Sequence, residues 1–108
     1  MAVGLTVGLI VSGCAAKPDP VRVEGRSVQI ENQTPQDWTD VEVWVNDQYR
    51  VTRPTIRGGE RFQIPLDAFV AGFGQRFNPG HQRVAGVLIV GRTADKPLRI
   101  EWGTVRRR

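Results

Sequence analysis

The 108-residue chain predicts an all-β fold, a small antiparallel sandwich behind an apolar N-terminal segment. Three observations carry this expectation. Beyond Pro20, apolar side chains recur at every second position, the period of strands with one face buried and one wet. Clusters of turn-forming residues interrupt these runs at short intervals. Apolar residues make up 40% of the chain and charged residues 24%, which suits one small core and is too apolar for a disordered chain.

The N-terminal segment comes first. From Met1 to Gly13 no side chain is charged, and Val3, Leu5, Val7, Leu9, Ile10 and Val11 make it apolar. It is too short to span a bilayer, which takes roughly 20 apolar residues. It has the length of the apolar region of a secretory signal peptide. It ends in Val11-Ser12-Gly13-Cys14: an aliphatic residue, two small residues and the only cysteine of the chain. This run resembles the lipobox of bacterial lipoproteins, although no Lys or Arg precedes the apolar stretch. The resemblance implies that the Cys14 thiol takes a diacylglyceryl group. It also implies that signal peptidase, reading Val11, Ser12 and Gly13, cleaves before Cys14, and that the new amine is often acylated too. Two or three acyl chains at about 0.8 kcal/mol per buried methylene hold a protein stably on a membrane, whereas one chain is marginal. Ala15, rather than Asp, follows the cysteine; the resemblance then implies the outer membrane of a diderm bacterium, with the domain facing the periplasm. Pro18 and Pro20 favour an extended tether. The expected division is residues 1–13 signal peptide, 14–22 lipidated cysteine and tether, 23–105 sandwich domain, and 106–108 basic tail.

The strands follow in order. Val28 and Ile30 alternate with Gln29 and Glu31, and Asn32–Pro35 turns the chain. Val41, Val43 and Val45 alternate with Glu42 and Trp44, ending at Asn46-Asp47. Gly58-Gly59 precedes Phe62 and Ile64, which alternate with Arg61 and Gln63. Leu66–Ala71 is the one stretch that suits a short helical turn. After the turn at Asn78-Pro79-Gly80, Val84–Val90 is apolar on both sides, as a central strand is. Thr93–Pro97 then leads to Leu98, Ile100 and Trp102, alternating with Arg99 and Glu101.

The hairpin at Asn46 has a register that its residues decide. A two-residue loop sets Val43 opposite Arg50 and Trp44 opposite Tyr49, mixing apolar and polar side chains on both faces. The odd loop Asn46-Asp47-Gln48 pairs Val45 with Tyr49 and Val43 with Val51, and gathers five apolar side chains on one face. Register follows the buried face, so the odd loop is expected, at the cost of a left-handed residue without glycine.

The stretch VQIENQTPQDWTDVEVWVNDQY, Val28–Tyr49, resembles the first half of FxLYD-type immunoglobulin-like modules. In these, an alternating strand ends in Asn and a turn leads to a V-x-V-x-V strand. Val45-Asn46-Asp47 stands where those modules carry Leu-Tyr-Asp. The resemblance implies an immunoglobulin-like sandwich and no specific ligand.

Chemistry has few residues to work with. His81 is the only histidine and lies in a turn, and Ser27 is the only serine beyond Cys14. A Ser-His-Asp or Cys-His arrangement is not expected. Neither is a zinc site, which takes several His or Cys ligands. Asp37, Asp40 and Asp47 lack the spacing of a calcium loop and read as turn caps and solvated edges. No catalytic residue, metal or cofactor is therefore expected. Asn32-Gln33-Thr34 matches a glycosylation sequon by chance, and Gly72, Gly74 and Gly80 mark turns. Arg106, Arg107 and Arg108 carry three of the four net positive charges. The excess is a tail rather than a basic face, which weakens a nucleic-acid reading, and no nucleic-acid partner is expected. The tail is a solvated end or a contact for anionic lipid or cell-wall polymer.

Trp38, Phe69, Phe73, Phe77 and Trp102 fit core or rim positions. Trp44 lies on the face opposite Val41, Val43 and Val45 and points outward. It serves either as a contact for a protein or glycan partner or as a stacking surface for Arg50. The expected function is a membrane-anchored, non-catalytic binding or scaffolding module of the cell envelope. The alternative is an accessory subunit that joins a larger envelope assembly by strand-edge pairing.

Cys14→Ala is expected to block processing and lipid attachment, checked by radiolabelled-palmitate incorporation and detergent partitioning. A variant that still takes up label excludes the lipobox.

Overall fold

Every described stretch of two-residue period is a strand. The computed structural model describes residues 19–106. The expected signal peptide with Val11, Ser12 and Gly13, the lipidated Cys14, the tether through Pro18, and Arg107 and Arg108 lie outside the described residues. The strands are β1 (Val21–Glu24), β2 (Ser27–Glu31), β3 (Trp38–Val45), β4 (Tyr49–Ile56), β5 (Arg61–Pro65), β6 (Val70–Ala71), β7 (Gly86–Arg92) and β8 (Pro97–Gly103). They form two antiparallel sheets, β1-β2-β5 and β6-β4-β3-β7-β8, packed as a sandwich in an order compatible with a small immunoglobulin-like fold.

The core lies between the sheets. Val21, Val28, Ile30 and Ile64 come from the smaller sheet; Trp38, Val41, Val43, Val45, Tyr49, Ile56, Val87 and Ile89 come from the larger. Phe69 and Phe77 join them, and the Phe77 ring meets Tyr49 edge-on at 5.3 Å.

Two boundaries differ from expectation. β1 begins at Val21, so Val21 and Arg22 belong to the sandwich and not to the tether. Val21 is fully buried opposite Ile30, and its N–H donates to Asp19 Oδ1 at 3.3 Å. The helical turn shrinks to Leu66–Ala68, and Val70–Ala71 instead pairs with Tyr49 and Arg50 at the edge of the larger sheet.

The β3–β4 hairpin has the odd loop: Val45 faces Tyr49 and Val43 faces Val51. Asn46 and Asp47 both take left-handed backbone, with φ of 53° and 61°. The Asn46 amide offsets the cost. Its Oδ1 accepts the Ala85 N–H at 2.7 Å, and its Nδ2 donates to the Arg83 carbonyl at 2.9 Å, fastening the loop to the start of β7.

β3 itself contains a kink in parity. Trp38 and Val41 are both buried although three positions apart. Asp40 between them has φ 51°, and the register against β7 shifts between Thr39 and Glu42. This bulge turns Trp38 back into the core. It requires close backbone approach: a Cβ on Gly91 of β7 would lie 2.9 Å from the Thr39 carbonyl oxygen.

Asn32, at the end of β2, ties the sheets together. Its side chain is fully buried. Nδ2 donates to the Gln36 carbonyl at 2.8 Å and to the Ile56 carbonyl of β4 at 3.1 Å. Oδ1 accepts from the Thr34 hydroxyl at 2.7 Å and the Thr34 N–H at 3.1 Å. Its backbone N–H donates to Glu60, and its carbonyl accepts from Gly59. The sequon-like triplet is thus a structural joint.

Asn32→Asp keeps the shape but sets carboxylate oxygens against two carbonyls. A loss of about 2–4 kcal/mol is expected in urea melts, since buried donors are replaced by a poorly compensated charge. Gln36→Ala, which keeps the backbone carbonyl, should change stability by less than about 0.5 kcal/mol.

Candidate functional site

The parity of β3 past Asp40 puts Val41, Val43 and Val45 inside and Trp44 on the outer face of the larger sheet. Trp44 is half-buried there, opposite Arg50 of β4 and Leu88 of β7. Its Nε1–H donates to Glu42 Oε1 at 3.0 Å, and the Arg50 guanidinium carbon lies 5.4 Å from its ring centroid. Arg50 Nη1 also reaches Glu42 Oε2 at 4.0 Å. Glu42, Trp44 and Arg50 therefore brace one another across two strands. The stack anticipated between Trp44 and Arg50 is present and fixes the ring.

Leu88 explains part of the arrangement. It faces outward between the core residues Val87 and Ile89, yet it is only 2% exposed. Its cross-strand neighbours are Trp44 and Glu101, which sets the indole beside it on the outer face. The two-sided burial expected of Val84–Val90 holds for Val87–Ile89; the strand begins at Gly86, and Ala85 is exposed.

Beside the indole runs a groove of about 440 Å³, between Trp44, Arg50 and Thr52 on one side and Val70, Ala71 and Gly72 on the other. A small hairpin forms its outer rim. Ala71 N–H donates to the Gln75 carbonyl at 2.8 Å, Gly74 N–H donates to the Ala71 carbonyl at 2.9 Å, and Val70 bridges Arg76. At its tip stands Phe73, 78% exposed. Expectation had Phe73 in the core or at its rim. The flanking glycines allow a tight turn, with Gly74 at φ 91°, and Phe73 stands at its exposed tip. An aromatic between two glycines was the available signal. Val70, 37% exposed, adds a second apolar contact. An indole and a guanidinium lining a shallow groove, with an exposed phenyl ring on the adjoining turn, suit the face of a sugar ring or an apolar side chain of another protein.

The remaining singled-out residues lie apart. His81 sits in the turn after Asn78, its N–H donating to the Asn78 carbonyl at 3.0 Å. Asp37 Oδ1 accepts the Gly58 N–H at 3.0 Å, Asp40 forms the bulge, and the Asp47 carboxylate accepts the Arg106 N–H at 3.3 Å. Among the described residues, no group of three or more His, Cys, Asp and Glu is placed to hold a metal ion. The first residue of the basic tail is thus tied to the β3–β4 loop.

Arg50→Ala removes only an exposed brace and should cost less than about 1 kcal/mol in urea melts. Trp44→Ala also uncovers Leu88 and should cost about 1–3 kcal/mol. Equal effects would mean that Trp44 does not shield Leu88. Comparison with protein-family models, with curated proteins and with solved structures finds no match for the chain.

Proposed function

We propose that the chain is a lipid-anchored protein of the bacterial envelope whose β-sandwich is a non-catalytic binding or scaffolding module. Acyl chains on Cys14 hold it to the membrane, and Ala15 directs it to the outer membrane, facing the periplasm. The Trp44 face meets an envelope protein or glycan. The observation that carries this reading is the braced, half-buried indole in a groove lined also by Val70, next to the turn that carries the 78% exposed Phe73. Large apolar side chains held out in one patch on a small domain mark a contact surface. The lipobox resemblance supplies the anchor.

A second reading, an accessory subunit joined by strand-edge pairing, draws on β8. No described strand pairs with its outer edge.

The test places a photoreactive residue at Thr52 of the full chain in a diderm bacterium. A discrete protein or peptidoglycan adduct is expected, lost with Phe73→Ala. Phe73 is chosen because its exposure makes the substitution neutral to folding. An adduct unaffected by Phe73→Ala, or no adduct, would reject the groove as the contact surface.

A further inference from the structure

The larger sheet ends in two unlike edges. β6, at one end, is two residues long. β8, at the other, is seven residues long. The backbone direction along β8 can be worked out from the ladder. Asn46 N–H donates to the Gly86 carbonyl at 2.9 Å, so Gly86 turns its polar groups toward β3. Alternation then turns those of Val87, Ile89 and Gly91 toward β8, where they meet Trp102, Ile100 and Leu98. The bonds from Thr104 to Ala85 and from Thr93 to Lys96 have the same phase. The backbone groups of Leu98, Ile100 and Trp102 are therefore spent on β7. Those of Arg99, Glu101 and Gly103 face the open edge, with the carbonyl of Pro97. Pro97 stands where a missing N–H removes no ladder bond.

We propose that this edge pairs antiparallel with β8 of a second copy of the chain, about a two-fold axis at Ile100. Charge selects the register. Outward-facing residues have to meet outward-facing residues, so an axis near the middle of the strand falls at Arg99, Ile100 or Glu101. An axis at Arg99 sets two arginines opposite each other, and one at Glu101 sets two glutamates opposite each other; both arrangements are repulsive. The axis at Ile100 sets Arg99 opposite the second copy's Glu101, and the converse, with both backbone hydrogen bonds exchanged in each pair. Leu98 then faces the second copy's Trp102, and Ile100 faces its own counterpart. These three side chains are half-buried against the core, and pairing extends their stripe into an equal one. In the single chain Arg99 Nε reaches Glu101 Oε2 at 2.7 Å, with both side chains nearly half exposed, so the charges already lie side by side. The described C-terminal residues leave the edge clear. Gly103 takes φ 71°, and Arg106 bonds Asp47 at the β3–β4 loop. Charges on an edge ordinarily discourage pairing, but here their order makes the edge complementary to itself. The proposal does not depend on the Trp44 face.

The test uses the full chain carrying Cys14→Ser in mild detergent, followed by sedimentation over a range of concentrations. A monomer–dimer equilibrium is expected. Arg99→Glu and Glu101→Arg should each weaken it at least tenfold, the double exchange should restore it, and the two single variants mixed should associate with each other. In the same background, Ile100→Cys should form a disulfide dimer on mild oxidation, with Arg99→Cys and Glu101→Cys lagging well behind. Urea melts confirm that the charge variants remain folded. A chain that stays monomeric leaves the edge to a strand of another protein and overturns the proposal. So does a dimer indifferent to the single charge reversals, which places the association elsewhere, or preferential crosslinking at position 99 or 101.

Discussion

The structure hangs on the parity of β3. This strand lies between β4 and β7, and its faces decide what is core and what is surface for the larger sheet. A strict alternation from Trp38 to Val45 would put Trp38 on the wet side with Glu42 and Trp44. One left-handed residue, Asp40, resets the count, so Trp38 is buried with the three valines while Trp44 stays outside. Aspartate accepts that conformation more readily than a branched side chain would, and Gly91 yields the space. Two tryptophans six positions apart thereby acquire opposite fates.

What the sequence disclosed follows the range of the forces involved. The β3–β4 register was legible because alternation and loop parity are local, and only one register collects Val41, Val43, Val45, Tyr49 and Val51 on one face. The outward placement of Trp44 followed from the same count. β1 was not legible, since Val21 and Val23 alone make too short a pattern behind Pro20; burial against Ile30 defines it. The Asp40 bulge depends on Gly91, some fifty residues away in the chain. The task of Asn32 depends on Ile56 and Glu60, which no local pattern connects to it. The exposure of Phe73 is not legible from its aromatic character, which fits a core as well as a rim; only the glycines on either side of it point to a turn.

The Trp44 face shows how one side chain serves stability and presentation together. Glu42 and Arg50 hold the ring at little cost, since both remain in contact with solvent. A ring already fixed loses less freedom on meeting a partner than a free one does. Packing beside Leu88 and display toward the groove are therefore not competing accounts of Trp44. Pairing through β8 would set two such faces on one continuous sheet, so a partner with repeated units could engage both at once and gain from the raised local concentration.

Asn32 carries a practical consequence for producing the protein. In a eukaryotic secretory pathway, the triplet Asn32-Gln33-Thr34 is an acceptor for N-linked sugar while the chain is still unfolded. A glycan on Nδ2 would take a donor hydrogen needed by the Gln36 and Ile56 carbonyls, and its bulk has no room in a fully buried joint. Secretion from yeast or mammalian cells should therefore yield chains in which sugar occupancy and correct folding exclude each other, and bacterial expression avoids the conflict.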